Sequence, residues 1–276
     1  MNQQVIKSLE KFIASGKKLV VATGAGISAE SNIPTYRGVE GYWTKGSRNY
    51  KPEEIGTFKF FQQEPYEVWK FALYRRSLCL NASPNSGHYA IAELESLLGN
   101  RFGLVTQNVD GLHIRAGNSL ERTCQVHGHI NEVRCMDECQ GKRYPFPEGI
   151  LPKQLDEDIP DAEWEKLVCP DCSSLLRPHV LWFDEIYDER NYRFQTAQNW
   201  GKRAGLLLTI GTTGMTYMPN NLSELAIRNK ALIIDVNITE NRFAKAAQKF
   251  GFAFQEKSGI ILPQLVKTFK ELLDRK

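Results

Sequence analysis

Four of the six cysteines are arranged in two close pairs. Three residues separate Cys135 from Cys139, and two separate Cys169 from Cys172. Two such pairs, each on a turn, supply the four thiolates of a tetrahedral zinc site, and four protein ligands leave no open position for catalysis. We therefore predict one structural Zn²⁺ at these residues, with unrelated buried cysteines as the alternative.

A glycine-rich segment carries a second chemical pattern. After the apolar run 19–22 the chain reads Thr23-Gly24-Ala25-Gly26-Ile27-Ser28-Ala29-Glu30-Ser31. Two glycines allow a sharp turn and a close approach to a phosphate, and a helix that starts near Ser28 would direct free N–H groups at it. We predict a dinucleotide-phosphate site here, with a plain strand-to-helix turn as the alternative.

The continuation of this segment differs from that of an ordinary dehydrogenase. Such an enzyme needs an acidic residue about 20 positions further on, at the end of a second strand, to bind the ribose. The chain instead continues Asn32-Ile33-Pro34-Thr35-Tyr36-Arg37-Gly38, which we interpret as a mobile loop that carries an aromatic ring and a guanidinium. This departure weakens the dehydrogenase interpretation and leaves the dinucleotide site in place.

Polar side chains follow two further apolar runs. Gln107, Asn108 and Asp110 come after the run 102–105, and His127 follows the run 122–126. Ligands of open α/β sheets bind at the carboxyl ends of the strands. The amides and the carboxylate are therefore expected to hold ribose hydroxyls and a carboxamide, and His127 to act as a general base. Helix capping by Asn108 or Asp110 and a structural histidine are the alternatives.

The elements that must position these residues follow from the apolar pattern. Short β-branched runs lie at 19–22, 102–105, 122–126, 206–210, 232–234 and 252–254. Helical stretches are predicted at 86–98, 187–203, 221–229 and 240–250. Continuous apolar runs indicate strands that are buried on both faces. Their alternation with helices predicts an α/β fold, a Rossmann-like doubly wound parallel sheet.

Two stretches interrupt this alternation. Residues 41–80 are rich in aromatic side chains, and residues 131–176 hold the four paired cysteines, five prolines and an acidic run. We predict that these insertions form a smaller domain, a helical module plus the zinc module. Residues 1–40, 81–130 and 177–276 are predicted to form the dinucleotide-binding domain.

The overall composition narrows the classes of partner. The chain has 276 residues, 42% of them hydrophobic and 24% charged, and a formal net charge of +3. These values are typical of a globular protein, and the charge is too small to indicate direct nucleic-acid binding. No apolar run reaches the length of a membrane span, and the N-terminus has no signal-peptide core. We expect no membrane partner and a cytoplasmic protein with reduced thiols.

Taken together and in this order, the motifs resemble those of the sirtuins, which are NAD-dependent protein-lysine deacylases. The motifs are Gly24 to Ser31, Thr106 to His113, His127-Gly128, Arg177 to Glu185 and Gly211 to Thr213. The likeness covers most of the chain, from about residue 17 to about residue 266. Any one motif is weak, but their combination around a four-cysteine module is specific.

The resemblance implies roles for individual residues. The catalytic residues are His127, Asn108 and Asp110, with His127 as the general base. The residues expected to contact NAD are Gly24, Ala25, Gly26, Ser28, Ala29, Glu30, Pro34, Thr35, Tyr36, Arg37, Gln107, Asn108, Asp110, Gly211, Thr212, Thr213, Asn237, Ile238, Thr239 and Ser258. The residues expected to contact an acyl-lysine protein or peptide are Arg75, Leu181, Trp182, Phe183, Asp184 and Glu185. The last segment is expected to pair with the substrate backbone as an added strand.

The resemblance also implies the reaction. The acyl carbonyl oxygen attacks C1′ of the ribose as nicotinamide leaves, and His127 then takes a proton from the ribose hydroxyls. The products are nicotinamide, O-acyl-ADP-ribose and free lysine. The enzyme thus transfers an acyl group to ADP-ribose, and the metal stays outside the chemistry.

Three positions depart from the sirtuin pattern at the site. Asp184 stands where the family typically has glycine in the peptide cleft, and Asn32 replaces another usual glycine. Thr213 replaces a usual serine and keeps the hydroxyl. A carboxylate at position 184 is expected to obstruct or reselect peptides.

A fourth departure concerns the acyl group. In the desuccinylase and demalonylase-like subgroup, a tyrosine three residues before an arginine helps to bind the acyl carboxylate. Arg75 matches this arginine and can form a bidentate pair with a carboxylate, but Ala72 occupies the tyrosine position. Because a solvated Arg75 is the alternative, acetyl groups, longer apolar acyl groups, and succinyl or malonyl groups all stay open.

Two other functions stay open at this stage. A mono-ADP-ribosyltransferase would use the same NAD pocket with a protein nucleophile. An NAD-binding sensor would have its peptide cleft closed by Asp184. The presence of His127 together with Asn108 and Asp110 favours the deacylase, because a pure binding module needs no base.

Overall fold

The computed structural model describes residues 1–35 and 52–275. The strands are β1 (Lys18–Thr23), β2 (Phe102–Thr106), β3 (Thr123–Gln125), β4 (Gly128–Cys135), β5 (Arg143–Pro145), β6 (Leu176–Val180), β7 (Ala204–Ile210), β8 (Leu232–Asn237) and β9 (Gly251–Gln255). The helices of the first half are α1 (Gln3–Ser15), α2 (Ala25–Ala29), α3 (Pro52–Ile55), α4 (Phe58–Gln63), α5 (Pro65–Asn81), α6 (Ser86–Leu98) and α7 (Leu112–Arg115). Those of the second half are α8 (Asp161–Trp164), α9 (Glu189–Tyr192), α10 (Phe194–Gly201), α11 (Tyr217–Arg228), α12 (Arg242–Phe250) and α13 (Ser258–Leu273).

The predicted parallel sheet is confirmed. Among the described residues six strands pair in the order β3-β2-β1-β7-β8-β9, and every pair is parallel. Helices α1, α6 and α13 cover one face with one apolar cluster, and α10, α11 and α12 cover the other face with a second. Burial from both sides explains why β1, β2 and β7 are continuous apolar runs rather than alternating ones.

Some predicted helix limits differ from the structure; α11, for example, begins at Tyr217 rather than at residue 221. The stretch 187–203 is divided into α9 and α10, because Arg193 adopts a left-handed φ of 52° between them. The Arg193 guanidinium donates to the carbonyl oxygens of Leu120 (2.7 Å) and Thr123 (3.0 Å), so the break anchors the start of β3. Helix α2 begins at Ala25 rather than near Ser28.

A second, antiparallel sheet lies outside the parallel one. Its strand order is β5-β4-β6, and its apolar cluster includes Phe61 and Trp69 of the helical insertion. Helices α4 and α5 therefore share a core with β4 and β6 and with two of the paired cysteines, Cys135 and Cys169. Strand β4 extends across the predicted limit at 130, and β6 extends across the predicted limit at 176. The division into two domains stays a prediction.

Within residues 1–35 and 52–275, no helix combines the length and the apolar character needed to cross a membrane.

Candidate active site

The carboxyl ends of the parallel strands meet at one edge of the sheet. Thr23, the last residue of β1, is in register with Thr106 of β2 and with Ile210 of β7. Thr106 is in turn in register with Gln125 of β3. The segments that follow these strands therefore converge at one edge, where ligands of open α/β sheets bind.

The glycine-rich turn after β1 is held directly against the turn after β7. The N–H of Gly24 donates to the carbonyl oxygen of Ile210 (3.0 Å), and that of Gly26 donates to Gly211 (2.9 Å). A Cβ atom on Gly26 would lie 2.6 Å from the Cα atom of Gly211, so no larger residue fits without movement of the backbone. These bonds also start α2 at Ala25. Both glycines are thus required by a close approach of two backbones.

Three polar side chains form a buried network beside this turn. The Asn108 amide donates to the carbonyl oxygen of Gly24 (3.1 Å) and to the hydroxyl of Ser28 (3.0 Å). The Ser28 hydroxyl donates to the Asp110 carboxylate (2.7 Å), whose other oxygen accepts the N–H of Leu112 (2.9 Å). Asp110 thus accepts a hydrogen bond from the first residue of α7, whose N-cap is Gly111, and is also a member of the site. Burial raises the pKa of Asp110, and the hydrogen bonds from Leu112 and Ser28 oppose that rise.

The network forms part of the wall of a cleft. The described residues that form its walls are Ala25, Ser28, Ile33, Pro34, Arg75, Cys79, Gln107, Asn108, Val109 and Asp110. Arg75 and Cys79 come from α5, so the helical insertion supplies one wall and the parallel sheet supplies the other. The Arg75 charge acts to lower the pKa of Asp110. The structure therefore brings Arg75 to the same cleft as the polar network.

Gln107 connects the same sheet edge to the β7–α11 loop. Its amide nitrogen donates to the Thr212 hydroxyl (3.0 Å), and its amide oxygen accepts the Thr216 hydroxyl (2.6 Å). Asn237, at the end of β8, donates to the carbonyl oxygen of Thr212 (3.1 Å). These bonds hold the loop in a fixed place against the glycine-rich turn.

His127 follows β3 at this edge, and its Nε2 atom lies 2.9 Å from the hydroxyl oxygen of Tyr187. Burial lowers the pKa of His127 to about 4, while a hydrogen bond with the Gln107 backbone opposes that effect. The imidazole is therefore uncharged at neutral pH, which is the state a general base requires.

Several other expected NAD contacts are not among the described residues that line the cleft. Glu30 accepts the Ser258 hydroxyl (2.5 Å) and the Gly259 N–H (3.1 Å), which ties the end of α2 to the start of α13. Ala29, Thr213, Ile238 and Thr239 are exposed. Thr35 is the last residue described before the gap, and the predicted contacts Tyr36 and Arg37 lie outside the described residues.

The predicted substrate segment 181–185 is organised by its own charged residues. The Glu185 carboxylate accepts hydrogen bonds from Arg177 (2.5 and 2.9 Å), from Arg134 (2.8 Å) and from the N–H of Trp182 (3.0 Å). Glu185 thus shapes the segment from within. Trp182 is buried beside Phe58, at a ring separation of 5.8 Å.

Asp184 and its neighbours attach this segment to the helical insertion. The Asp184 carboxylate accepts the N–H groups of Phe58 (2.7 Å) and Lys59 (3.0 Å) at the start of α4. Phe183, which is 60% exposed, donates its N–H to the carbonyl oxygen of Gly56 (3.0 Å). Leu181 donates its N–H to the carbonyl oxygen of His127 (2.9 Å). Among the described residues that line the cleft, none comes from 181–185, so their contact with a substrate stays a prediction.

The four paired cysteines lie together, as predicted. All their Sγ atoms are within 4.8 Å of one another, with Cys135 and Cys172 3.5 Å apart and Cys139 and Cys169 3.6 Å apart. A tetrahedral zinc with Zn–S bonds of about 2.3 Å places sulfur atoms about 3.8 Å apart, so the thiols fit this ion. Cys135 is the last residue of β4, and none of the four cysteines is among the described residues that line the cleft.

The sequence analysis missed the cleft residues Ile33, Cys79 and Val109, and it also missed two residues that contact predicted site residues. Tyr187 contacts His127, and Thr216 contacts Gln107. Both contacts join segments that are far apart in the chain, and neither residue belongs to a local motif that could have pointed to it.

The fold and this arrangement were compared with known proteins. The family model described as the Sir2 family matches residues 24–218. A relative from Leptospira interrogans, named NAD-dependent protein deacylase, is 36% identical over 274 residues, which cover 99% of each chain. A relative of the same name from Pyrococcus abyssi is 36% identical over 271 residues, which cover 98% of this chain and 100% of the relative.

Solved structures agree with the sequence relatives. A complex of a Sir2 homologue with NAD aligns with a TM-score of 0.79 at 30% identity and covers 99% of this chain and 95% of its own. A complex of Sir2 with a p53 peptide and NAD⁺ aligns with a TM-score of 0.73 at 27% identity and covers 95% and 97%.

A parallel α/β sheet with a glycine-rich turn, a polar network at its edge and a four-cysteine group defines the class of Sir2-like proteins. The chain belongs to the Sir2 family. The resemblance to the sirtuins that the motifs indicated is thereby confirmed.

Proposed function

We propose that this protein catalyses the NAD-dependent removal of acyl groups from lysine side chains of proteins, giving nicotinamide, O-acyl-ADP-ribose and free lysine. The observation that carries the proposal is the convergence, at one sheet edge, of the glycine-rich turn, the Asn108–Ser28–Asp110 network and the uncharged His127. The names of the relatives from Leptospira interrogans and Pyrococcus abyssi support it.

The residues present fit NAD. Gly24 and Gly26 leave no side chain between the turn and a diphosphate, and the start of α2 is free of side-chain caps. When bound, NAD supplies a cationic nicotinamide leaving group and the ribose carbon that receives the acyl oxygen. Gln107, Asn108 and Asp110 are the groups that would hold its ribose and carboxamide, because they offer both donors and acceptors at the strand ends.

The chain's own residues then account for the proton transfer. His127 is uncharged, so it can take a proton from a ribose hydroxyl at neutral pH. The buried position of Asn108 and Asp110, which are 8% and 6% exposed, limits the access of water to the bond that breaks. Exclusion of water favours transfer of the acyl group over simple hydrolysis of NAD.

The acyl-lysine peptide is proposed to bind along residues 181–185. The segment is anchored at both ends, to His127 by the Leu181 N–H and to α4 by Asp184. The Asp184 carboxylate accepts two N–H groups of α4, so it binds the protein's own backbone. This geometry argues against the sensor hypothesis, in which Asp184 closes the cleft.

Arg75 is the residue from which we infer the acyl preference. Its place in the cleft beside Asp110 favours an acyl group with a terminal carboxylate, while Ala72 leaves no hydroxyl to assist it. As part of this proposal we keep the expectations of a cytoplasmic location and of no direct nucleic-acid or membrane partner.

The test is mass spectrometry of one peptide prepared with acetyl-, succinyl- and myristoyl-lysine and incubated with NAD. We expect the wild type, but not His127→Ala, to release at least one acyl group as O-acyl-ADP-ribose. Preference for succinyl would assign Arg75 as the carboxylate anchor. Intact peptides in all reactions, with NAD consumed and protein labelled by ADP-ribose, would replace the proposal by ADP-ribosyl transfer.

A further inference from the structure

The last residues of β1 and β2 are threonines whose side chains meet. Thr23 and Thr106 are in register, and their hydroxyl oxygens lie 2.8 Å apart. The Thr23 hydroxyl oxygen is also 3.0 Å from Nε2 of His113 in α7. All three residues are at most 2% exposed. A row of buried polar groups therefore lies at the end of the two strands, where the glycine-rich turn and the polar network begin.

One end of this row reaches Asn108. The Thr106 hydroxyl oxygen accepts the backbone N–H of Asn108 at 3.1 Å. The direction of this bond is fixed, because a backbone N–H can only donate. Asn108 is buried, so its N–H would be costly to leave without an acceptor. The Thr106 hydroxyl thus ties the backbone of Asn108 to the end of β2.

The Asn108 side chain depends on the position of the same backbone. Its amide nitrogen donates to the carbonyl oxygen of Gly24 (3.1 Å) and to the Ser28 hydroxyl (3.0 Å). A carbonyl oxygen only accepts, so the nitrogen, and not the amide oxygen, faces Gly24. A shift of the peptide unit between residues 107 and 108 would move the nitrogen away from both acceptors. The place of the amide therefore depends on the bond that Thr106 makes.

Thr106 also supports the segment of the proposed base, but with a different atom. Its carbonyl oxygen accepts the N–H of Val126 (3.0 Å), the residue before His127. Of the two connections, only the one to Asn108 uses the Thr106 side chain. A substitution that changes this side chain and leaves the backbone intact therefore separates the support of Asn108 from the support of the His127 segment.

We propose that Thr106 is a positioning residue for Asn108. Its hydroxyl, which contacts Thr23, fixes the backbone of Asn108 and through it the amide that lies against Gly24 and Ser28. Thr106 is not among the described residues that line the cleft, so it acts through Asn108 and not on a ligand. The inference rests on the proposed function for its catalytic meaning, because Asn108 is assigned there to the ribose and carboxamide of NAD.

The alternative is that the hydroxyl only stabilises the end of the strand, and three variants separate the two roles. Thr106→Val keeps the β-branched shape and removes the hydroxyl. Thr106→Ser keeps the hydroxyl and removes a methyl group. Thr123→Val is the matched control in the neighbouring strand β3: Thr123 is 3% exposed, and its hydroxyl has no hydrogen-bond partner among the described residues.

The first readout needs no substrate. Hydrogen–deuterium exchange of the Asn108 N–H is followed by NMR of the full chain labelled with ¹⁵N-asparagine, and the signal that disappears in Asn108→Asp assigns it. In Thr106→Val we expect exchange to be about 5-fold faster, the factor that corresponds to one lost hydrogen bond. Thr106→Ser and Thr123→Val should stay within about 2-fold of the wild type.

The second readout separates the two halves of NAD. ADP contains the diphosphate but not the nicotinamide ribose, so its affinity, measured by calorimetry, does not depend on the contacts assigned to Asn108. We expect this affinity to stay within about 2-fold in all three variants. The kcat for nicotinamide release, with an acyl-lysine peptide that the wild type converts, should fall about 10-fold in Thr106→Val, because catalysis is sensitive to small displacements of a positioned group. Thr106→Ser and Thr123→Val should resemble the wild type.

The results that overturn the inference are distinct from failure of the proposed function. Unchanged exchange at Asn108 in Thr106→Val, or faster exchange without a loss of kcat, would reduce the hydroxyl to a contact at the strand end. Weaker ADP binding in Thr106→Val, or an equal loss of kcat in Thr106→Ser, would mean that the whole sheet edge is disturbed, which also contradicts a positioning role. If the wild type converts no acyl-lysine peptide, the proposed function fails, while the exchange rates still decide whether the Thr106 hydroxyl holds the Asn108 backbone.

Discussion

Glu185 offers the sharpest test of how the substrate segment is built. Its carboxylate lies between two buried arginines, Arg177 and Arg134, whose side chains are 2% and 6% exposed. The Arg177 guanidinium also lies 3.5 Å from the centroid of the Trp182 ring. Replacement by Glu185→Gln keeps the shape but leaves Arg177 without its carboxylate partner, while Arg134 keeps a second one, Glu138, at 3.0 Å. We therefore expect a loss of stability rather than a local change of affinity.

The size of the loss follows from burial. Removing one partner of a buried ion pair costs about 3–5 kcal/mol, because the other charge stays buried and uncompensated. Glu185 itself is 19% exposed, and the glutamine oxygen can still accept one bond. We therefore expect the lower limit, about 3 kcal/mol of free energy of unfolding.

The assay is urea unfolding followed by tryptophan fluorescence, to which Trp182 contributes from within this network. The matched control is Glu132→Gln, which breaks a pair with Arg143 whose side chains are 34% and 44% exposed. Such a surface pair contributes at most about 1 kcal/mol. Equal and small shifts of the midpoint in both variants would refute the reasoning, because they would show that Arg177 and Arg134 do not depend on Glu185.

Three further substitutions and one pH series test other parts of the molecule. Gly26→Ala should abolish NAD binding measured by calorimetry, because its Cβ would lie 2.6 Å from the Cα of Gly211; normal affinity would contradict the close approach. Cys172→Ser should release the bound zinc measured by atomic absorption and lower the unfolding midpoint, with nicotinamide chemistry lost only as the fold is lost. Asp184→Gly should lower the free energy of unfolding by about 1 kcal/mol through loss of a helix cap, and a stabilised variant would argue against that contact. The pKa of His127 is about 4 in the folded protein, against 6.5 for an ordinary histidine. Between these pH values the unfolded chain binds a proton at His127 and the folded protein does not, so the free energy of unfolding should fall as the pH decreases from 6.5 towards 4. Urea midpoints measured at each pH should show this fall, and a smaller one in His127→Gln.

Local sequence patterns were sufficient to predict the parallel sheet. The runs at 206–210 and 232–234 are continuous and β-branched, and they became β7 and β8 because only a strand buried on both faces needs such a run. Helix α6 has the predicted limits, and Asn85 caps it by accepting the N–H groups of Gly87 and His88. The division at Arg193 was not predictable, because a left-handed residue other than glycine depends on its long-range bonds to Leu120 and Thr123.

Part of the candidate site could also be predicted from local sequence patterns. Motif residues such as Asn108 and Asp110 follow a strand directly, so the topology of a parallel sheet places them at its edge. Arg75 was ambiguous, because a helix with apolar residues on several sides does not show which face it buries. Arg75 lies in the cleft because of how α5 packs against the antiparallel sheet. That packing involves residues of β4 and β6, which the sequence of α5 does not contain.

The amino-acid sequence by itself determined the class of fold, the zinc ligands and the residue types at the strand ends, because these depend on periodicity and short spacing. The tertiary structure alone decided which distant groups meet. Asp184 reaches the N–H groups of Phe58 and Lys59 across more than 120 positions, and Tyr187 reaches His127 across 60. Such contacts depend on the packing of whole elements against each other, and no local pattern records where a side chain from another element will lie.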